Sequence, residues 1–421
     1  MKGNYTLTLV ALALLLALAP SANTQTFHVL HTFEGTDGAE PGALAMDPAG
    51  NLYGSTSIGG LRNCANPGNS GCGTVFELSK KNSSWAFATL YQFQSYADGW
   101  SPNSPLTVGA GGNLYGTTLD GGIEEGYGSV FRLRSSCKDL GCNQIVWNKT
   151  ILYRFGLCDG AGTNGGLVFD AAGNLYGTTV ERCGHTGQVY ELSPAQNLDG
   201  TWTKNTLHVF YGMPDGQWPE GPVVFDQAGN LYGSTVAGGI SNLGTVYCMS
   251  LHGSYWSESV LHSFVGSDGK DPIGSLIFDP AGNLYGTTFG DSQPSNAFEL
   301  KPSGGGTCGT WSLARSYPFP PGQAQYLNSG LVMDQDGNLY GASWSGGASG
   351  FGSIYKLTVA GDDGWSYSSV YDFTGGSDGY SPQGPLVLDG QGHLFGTAAS
   401  GGDLNCNSGT GCGTVWVITL P

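Results

Sequence analysis

The residues best suited to chemistry lie in one irregular stretch, "TTVERCGHTG" (178–187). Glu181, Arg182 and His185 bring a carboxylate, a guanidinium and an imidazole into a single loop, which would supply an acid, a base and an anion clamp. Such a set suits a lyase or hydrolase acting on a polysaccharide or lactone; the other reading is an ordinary solvated loop. Asp120, Glu124 and Glu125 fall in the corresponding stretch of the preceding unit. A second group is a recurrent Asp-Gly: Asp37, Asp98, Asp159, Asp215, Asp268 and Asp378 are each followed by glycine. These aspartates either close turns by accepting backbone N–H groups or gather oxygens for Ca²⁺, although no dense Asp-x-Asp-x-Asp run supports the metal.

Aromatic residues offer a different chemistry. Trp100, Trp218, Tyr326 and Tyr380 precede short hydrophobic strands, and Tyr127 and Trp344 lie in the other set of loops. Flat rings beside acids and amides are what a sugar-binding face requires, because C–H faces stack while hydroxyls find polar groups. Packing between adjacent loops is the alternative. Two other motifs lead nowhere. "GGSDG" (375–379) matches a nucleophile elbow in letters but precedes a proline-containing loop and a strand rather than a helix. His31, His208 and His262 occupy the position held by Tyr91, Tyr153, Tyr317 and Tyr371 in other units, so they read as structural and not as a zinc set.

What positions these residues is a repeat. "GNLYG" or a close variant begins at residues 50, 112, 173, 229, 282, 337 and 392. Each unit reads as four short strands: "GLVFDAAGNLYGTT" gives two strands around a tight turn, "GQVYEL" a third and "WTKNTLHVF" a fourth. Seven such units predict an all-β, seven-bladed β-propeller of four-stranded blades. The phase of the repeat is offset, since "FHVLHTF" (27–33) is a fourth-type strand with nothing before it and "GTVWVITL" (413–420) is a third strand with nothing after it. The N-terminal strand is therefore expected to complete the seventh blade. Tyr53, Tyr115, Tyr176, Tyr232, Tyr285, Tyr340 and Phe395 recur in register and belong to the core.

Composition agrees with this reading. Only 11% of the 421 residues are charged while 72 are glycine, which favours turns over surface helices. A formal charge of −17 repels phosphate backbones, so nucleic acid is not an expected partner, whereas a glycan or a protein is. Residues 1–24 carry Lys2, the apolar run "LTLVALALLLALA" and small residues, the pattern of a signal peptide. The expected mature chain, 25–421, is one soluble extracytoplasmic domain, a monomer with no membrane span.

The unit "F…DG…P…G-x-L-x-x-D-x-x-G-N-L-Y-G-T-T…G-G…G-[TS]-V-[FY]-x-L" resembles the GloVer tandem repeat of exported bacterial proteins described as choice-of-anchor, over roughly residues 27–420. The resemblance implies an exported, propeller-like array and no particular activity. The chain stops at Pro421 without an anchoring segment, which argues against surface attachment. Its Asp-x-x-Gly-Asn turn is also similar in architecture to that of NHL-type propellers.

Ten cysteines in an exported chain suggest five disulfides: Cys64 with Cys72, Cys406 with Cys412, Cys137 with Cys142, Cys158 with Cys183, and the remaining Cys248 with Cys308. The sequence thus favours a secreted binding or interaction scaffold, recognising carbohydrate or a protein on its loop face. An enzyme built on Glu181, Arg182 and His185 and a purely structural envelope component are the alternatives.

Overall fold

The turn that opens each repeat motif is built by one carboxylate. Asp170 Oδ1 accepts the N–H groups of Ala172 (2.9 Å) and Asn174 (2.8 Å), while Oδ2 accepts the Asn174 amide (2.8 Å) and the Tyr176 hydroxyl (3.2 Å). The same bonds recur around Asp47, Asp226, Asp279 and Asp334. At Asp389 the amide is replaced by His393 Nδ1, 2.8 Å away. In the second unit the aspartate is replaced by Gly109, and Gly111 and Gly112 take φ of +71° and +73° to make the turn. One side chain thus fixes the hairpin and ties it to the buried tyrosine of the next strand.

A computed structural model of the chain describes residues 25–61, 70–82, 84–121, 127–138, 144–156, 158–181, 184, 186–194, 202–290, 294–304, 308–361 and 364–421. These residues form seven four-stranded antiparallel sheets, six of them in sequential strand order, arranged as a β-propeller. Blade 1 comprises Ala39–Met46, Leu52–Ile58, Thr74–Lys81 and Ser84–Gln92. Blade 4 comprises Val224–Phe225, Leu231–Thr235, Thr245–His252 and Tyr255–Ser263. Blade 7 is closed by the N-terminal strand: Thr26–Thr32 pairs antiparallel with Thr414–Thr419, outside Tyr380–Leu388 and His393–Ser400. Among the described residues there is no α-helix, only short 3₁₀ turns.

The last glycine of "GNLYG" makes room for a ring. A Cβ at Gly396 would lie 2.4 Å from the Trp416 ring, and one at Gly177 would lie 2.5 Å from the Tyr190 hydroxyl. The second strand of each blade therefore lies flat beneath an aromatic from the third, and Trp416 and Tyr190 are fully buried. Burial on both sheet faces explains why "LYGTT" is buried at every position in blades 2, 3 and 5.

Neighbouring blades meet through their inner strands. Thr117 Oγ1 donates to the Thr163 carbonyl (2.8 Å), Thr178 to Gly221 (3.2 Å) and Thr287 to Ser329 (2.8 Å). The same bond crosses the closure, where Thr397 Oγ1 donates to Gly42 O at 2.8 Å, so blade 7 abuts blade 1 as the others abut one another. Aromatic stacks flank this junction: Phe27 lies on Tyr371 with centroids 3.9 Å apart, and Phe87 on His31 at 3.6 Å. If the N-terminal strand closes the ring, Phe27→Ala will lower unfolding free energy by up to about 3 kcal/mol. Deleting residues 25–33 will abolish cooperative unfolding in urea. A truncated chain that unfolds at the wild-type midpoint would refute the closure.

Candidate functional site

Two loop sets converge on one face, as the repeat requires. The strand following each Asp-Gly begins beside the loop between second and third strands, shown by backbone bridges of Trp100 with Asp120 and of Ala161 with Glu181. In blades 4 and 6 the contact becomes a small ribbon, Gly216–Gln217 with Ala237–Gly238 and Ala324–Gln325 with Ser345–Gly346.

At this junction every blade holds one residue in the left-handed conformation. Glu40, Ser101, Trp218, Asp271, Tyr326 and Ser381 have φ between +53° and +58°, and Gly162 has +66°. Only glycine adopts this region freely; any other residue costs about 1–2 kcal/mol. The cost is met by the backbone: Trp218 N–H donates to Thr186 O (2.7 Å) and its carbonyl accepts from Val236 N–H (3.0 Å), while Asp271 bonds Leu243 O and Phe289 N–H in the same way (3.0 Å each). With both peptide groups engaged, the side chains carry no part of the turn. Trp218 is 41% exposed. Tyr326 packs edgewise between Phe289 (5.2 Å) and Trp344 (6.2 Å), and Trp344 is itself exposed. Glu40 accepts from Ser57 Oγ (3.1 Å) and Asn407 Nδ2 (3.3 Å). Lys270 lies 3.3 Å from Asp271. Two residues beyond Trp218, burial and the Asp271 charge push the Glu220 carboxyl above its usual range.

Five of the residues singled out in the sequence fall on or beside this ring. Trp218 and Tyr326 occupy it, and Trp344 adjoins it. Tyr380 sits one residue before the ring position and packs on Phe351 at 5.8 Å. Trp100 also sits one residue before it, and its ring packs against the core between blades 1 and 2. Tyr127 joins the core between blades 2 and 3. Glu181 is exposed, whereas Arg182, His185, Glu124 and Glu125 lie outside the described residues. Asp120 is half-buried, and burial raises its carboxyl. Glu40 and Asp271 belong to the ring, and Glu220 lies two residues beyond it, yet none was read from the sequence. The signal available was the residue before proline in Glu40-Pro41, Trp218-Pro219 and Asp271-Pro272.

The Asp-Gly aspartates lie elsewhere, one at each of six blade junctions. Each accepts from the His or Tyr near the end of the preceding strand: Asp37 from His31 (2.8 Å), Asp98 from Tyr91 (2.9 Å), Asp215 from His208 (3.2 Å), Asp268 from His262 (2.8 Å), Asp378 from Tyr371 (3.1 Å) and Asp159 from Tyr153. Five also accept a backbone N–H of their own loop, from Glu34, Gln94, Tyr211, Val265 and Thr374. At Asp37, burial would raise the carboxyl, but the His31 and Glu34 hydrogen bonds outweigh it and hold it below the usual value. Of the six, only Asp215 belongs to a group of three metal-ligating side chains among the described residues.

Two disulfides are fully described, Cys248–Cys308 between blades 4 and 5 and Cys406–Cys412 within a blade 7 loop. Cys72, Cys137 and Cys158 are also disulfide-bonded, while Cys64, Cys142 and Cys183 lie outside the described residues. On the opposite, turn face, a groove of about 560 Å³ between blades 4 and 5 is lined by Asp226, Tyr232, Phe278 and Trp311. Nothing in the sequence pattern marked it, because each lining residue is a consensus position of the repeat.

A family model described as the Gloeobacter/Verrucomicrobia repeat matches residues 17–199 and again 143–313. No curated protein matches the chain. Among solved structures, the chain is similar to a candidate 6-phosphogluconolactonase of Bacteroides fragilis NCTC 9343, with 12% identity, a TM-score of 0.52 and coverage of 90% of this chain and 94% of that one. A candidate 6-phosphogluconolactonase of Bacteroides uniformis ATCC 8492 gives 14% identity and a TM-score of 0.50, covering 85% and 89%. Identities this low speak to the fold alone.

The ring makes an energetic prediction. Alanine is normally more stable than glycine in folded backbone, but at Ser101, Trp218 and Tyr326 the order should invert, with the glycine variant about 1 kcal/mol more stable than the alanine variant. Urea midpoints of the paired variants measure this. Alanine variants as stable as glycine variants would show that the left-handed backbone stores no strain.

Proposed function

The chain belongs to the Gloeobacter/Verrucomicrobia repeat family, and we propose that its loop face is the carbohydrate-binding surface of an exported protein. The observation supporting this is the left-handed ring, which carries Glu40, Trp218, Asp271 and Tyr326 on backbone held by main-chain hydrogen bonds, with Glu220 two residues beyond Trp218. Left-handed backbone at residues other than glycine is strain of the kind that clusters at ligand-binding sites. Exposed indole and phenol faces stack on the C–H faces of sugar rings, and the carboxylates accept their hydroxyls. With a formal charge of −17, the preferred class is a neutral or amino-bearing glycan over a uronate or a phosphorylated sugar. Export is supported by the leader-like residues 1–24 and by the disulfides; among the described residues no helix is long and apolar enough to cross a membrane.

Titrating the full mature chain with neutral oligosaccharides (gluco-, xylo- and chito-series), followed by calorimetry and tryptophan fluorescence, tests the reading. Binding should weaken at least tenfold in Trp218→Ala and be unchanged in folded Trp311→Ala, whose ring lines the turn-face groove and packs on Tyr232. No binding to any of the three series, or loss that follows Trp311 instead, would overturn it.

A further inference from the structure

The register of the outer strands shows one junction built with the wrong charge. In each blade, the fourth-strand residue opposite the third-strand Leu, Met or Ile marks one position next to the preceding junction, which at six of the seven holds a His or Tyr with an Asp and between blades 5 and 6 holds Tyr317 with Gln323. Pairings of Leu133 with Lys149, Leu192 with Lys204, Met249 with Glu258, Leu300 with Leu313, Leu357 with Tyr367, Ile418 with Phe27 and Leu78 with Phe87 define it. Where this residue is lysine, it neutralises the aspartate: Lys149 lies 2.6 Å from Asp98 and Lys204 2.7 Å from Asp159. At other junctions it is apolar or aromatic. Only between blades 3 and 4 is it an acid, Glu258, set against Asp215 and His208.

This arrangement lacks its counter-charge. Asp215 accepts from His208 (3.2 Å), Tyr211 N–H (3.2 Å) and Gly216 N–H (2.7 Å). Glu258 Oε1 is buried and has no hydrogen-bond partner. Burial, followed by the Asp215 charge and partly offset by His208, pushes the Glu258 carboxyl up to about 7. An unpaired buried carboxylate facing a second one is among the costlier arrangements in a protein unless a cation compensates it. The donor atoms of His208, Asp215 and Glu258 all lie within 4.8 Å of one another. That span fits one coordination sphere, in which opposite ligands lie roughly 4–5 Å apart for bonds of about 2.0–2.5 Å. A cleft of about 600 Å³, lined by Pro214, Asp215, Ile240, Glu258 and His262, opens onto the group and gives an ion a way in.

We propose that His208, Asp215 and Glu258 form a binding site for a divalent first-row transition cation, clamping blade 3 to blade 4. One imidazole and two carboxylates suit Zn²⁺ or Mn²⁺ better than Ca²⁺, which takes six to eight oxygens. The ion replaces the lysine of the two preceding junctions: a metal bridge stands where an ammonium–carboxylate pair stands elsewhere. His208 and Glu258 lie on outer strands and Asp215 on the loop between blades 3 and 4, and the inference does not depend on carbohydrate binding.

The test uses the untagged mature chain, stripped with chelator and dialysed against ZnCl₂, MnCl₂ or CaCl₂ alone, with bound metal counted by mass spectrometry and the thermal midpoint recorded. Expected are one equivalent of Zn²⁺ or Mn²⁺ per chain and a raised midpoint. Glu258→Lys, which copies the neighbouring junctions, should fold, lose the bound ion and show no metal-dependent shift. Glu258→Gln should bind at least tenfold more weakly and carries the test if the lysine variant does not fold. His252→Ala, at an exposed histidine away from the group, should bind as wild type. No stoichiometric Zn²⁺ or Mn²⁺ in wild type, a preference for Ca²⁺, an ion that survives both Glu258 variants, or loss in His252→Ala would each overturn the proposal.

Discussion

The constraint on which the molecule depends is the close approach of its inner strands around the axis. A Cβ at Gly42 would lie 2.9 Å from Asn103 O, one at Gly221 3.1 Å from Ile273 O and one at Gly384 2.7 Å from Ala43. Backbones this close leave no space for side chains, so the threonines of the second strands reach across to the next blade's carbonyls instead. Each such bond contributes only about 1 kcal/mol net. Their effect is geometric: at four of the junctions, the closing one included, they tie the inner strand of one blade to the next. The N-terminal strand then supplies the outer strand of the seventh blade and its stacking partner for Tyr371, so the ends of the chain are held by the same contacts that hold its middle.

Much of this was legible beforehand because the repeat writes its scaffold in consensus letters. The turn aspartate, the buried tyrosine and the flat glycine all follow from chemistry that one unit shows alone, and the offset phase of residues 27–33 and 413–420 announced the closure. The histidine-for-tyrosine substitutions at His31, His208 and His262 keep one contact, since imidazole nitrogen and phenol oxygen reach the equivalent aspartate, but the proposed group at His208 departs from the reading of all three as purely structural. The candidate site was legible only in part. Trp218 and Tyr326 stood out as aromatics, but Trp100, one residue out of step, turns inward. Glu40 and Asp271 went unread because a positive φ leaves little mark in composition when the residue is not glycine.

The group at His208 was hidden for a different reason. Asp215 and Glu258 are 43 residues apart and belong to different blades, and no spacing rule joins them. What relates them is the interblade register, which must be known to within one residue. Lysine, leucine, phenylalanine, tyrosine and glutamate at that position look like random surface variation until the strands are aligned, after which they appear as five solutions to one electrostatic problem.

The left-handed ring separates two duties that proteins commonly assign to the same residue. Because N–H and C=O groups make the junction, as at Trp218 and Asp271, whatever is attached to the α-carbon is released from holding it. A mutation there alters what the rim offers while the frame that displays it stays in place. If the rim binds a ligand as proposed, substitutions at such seats offer a means to change what it recognises without renegotiating its architecture.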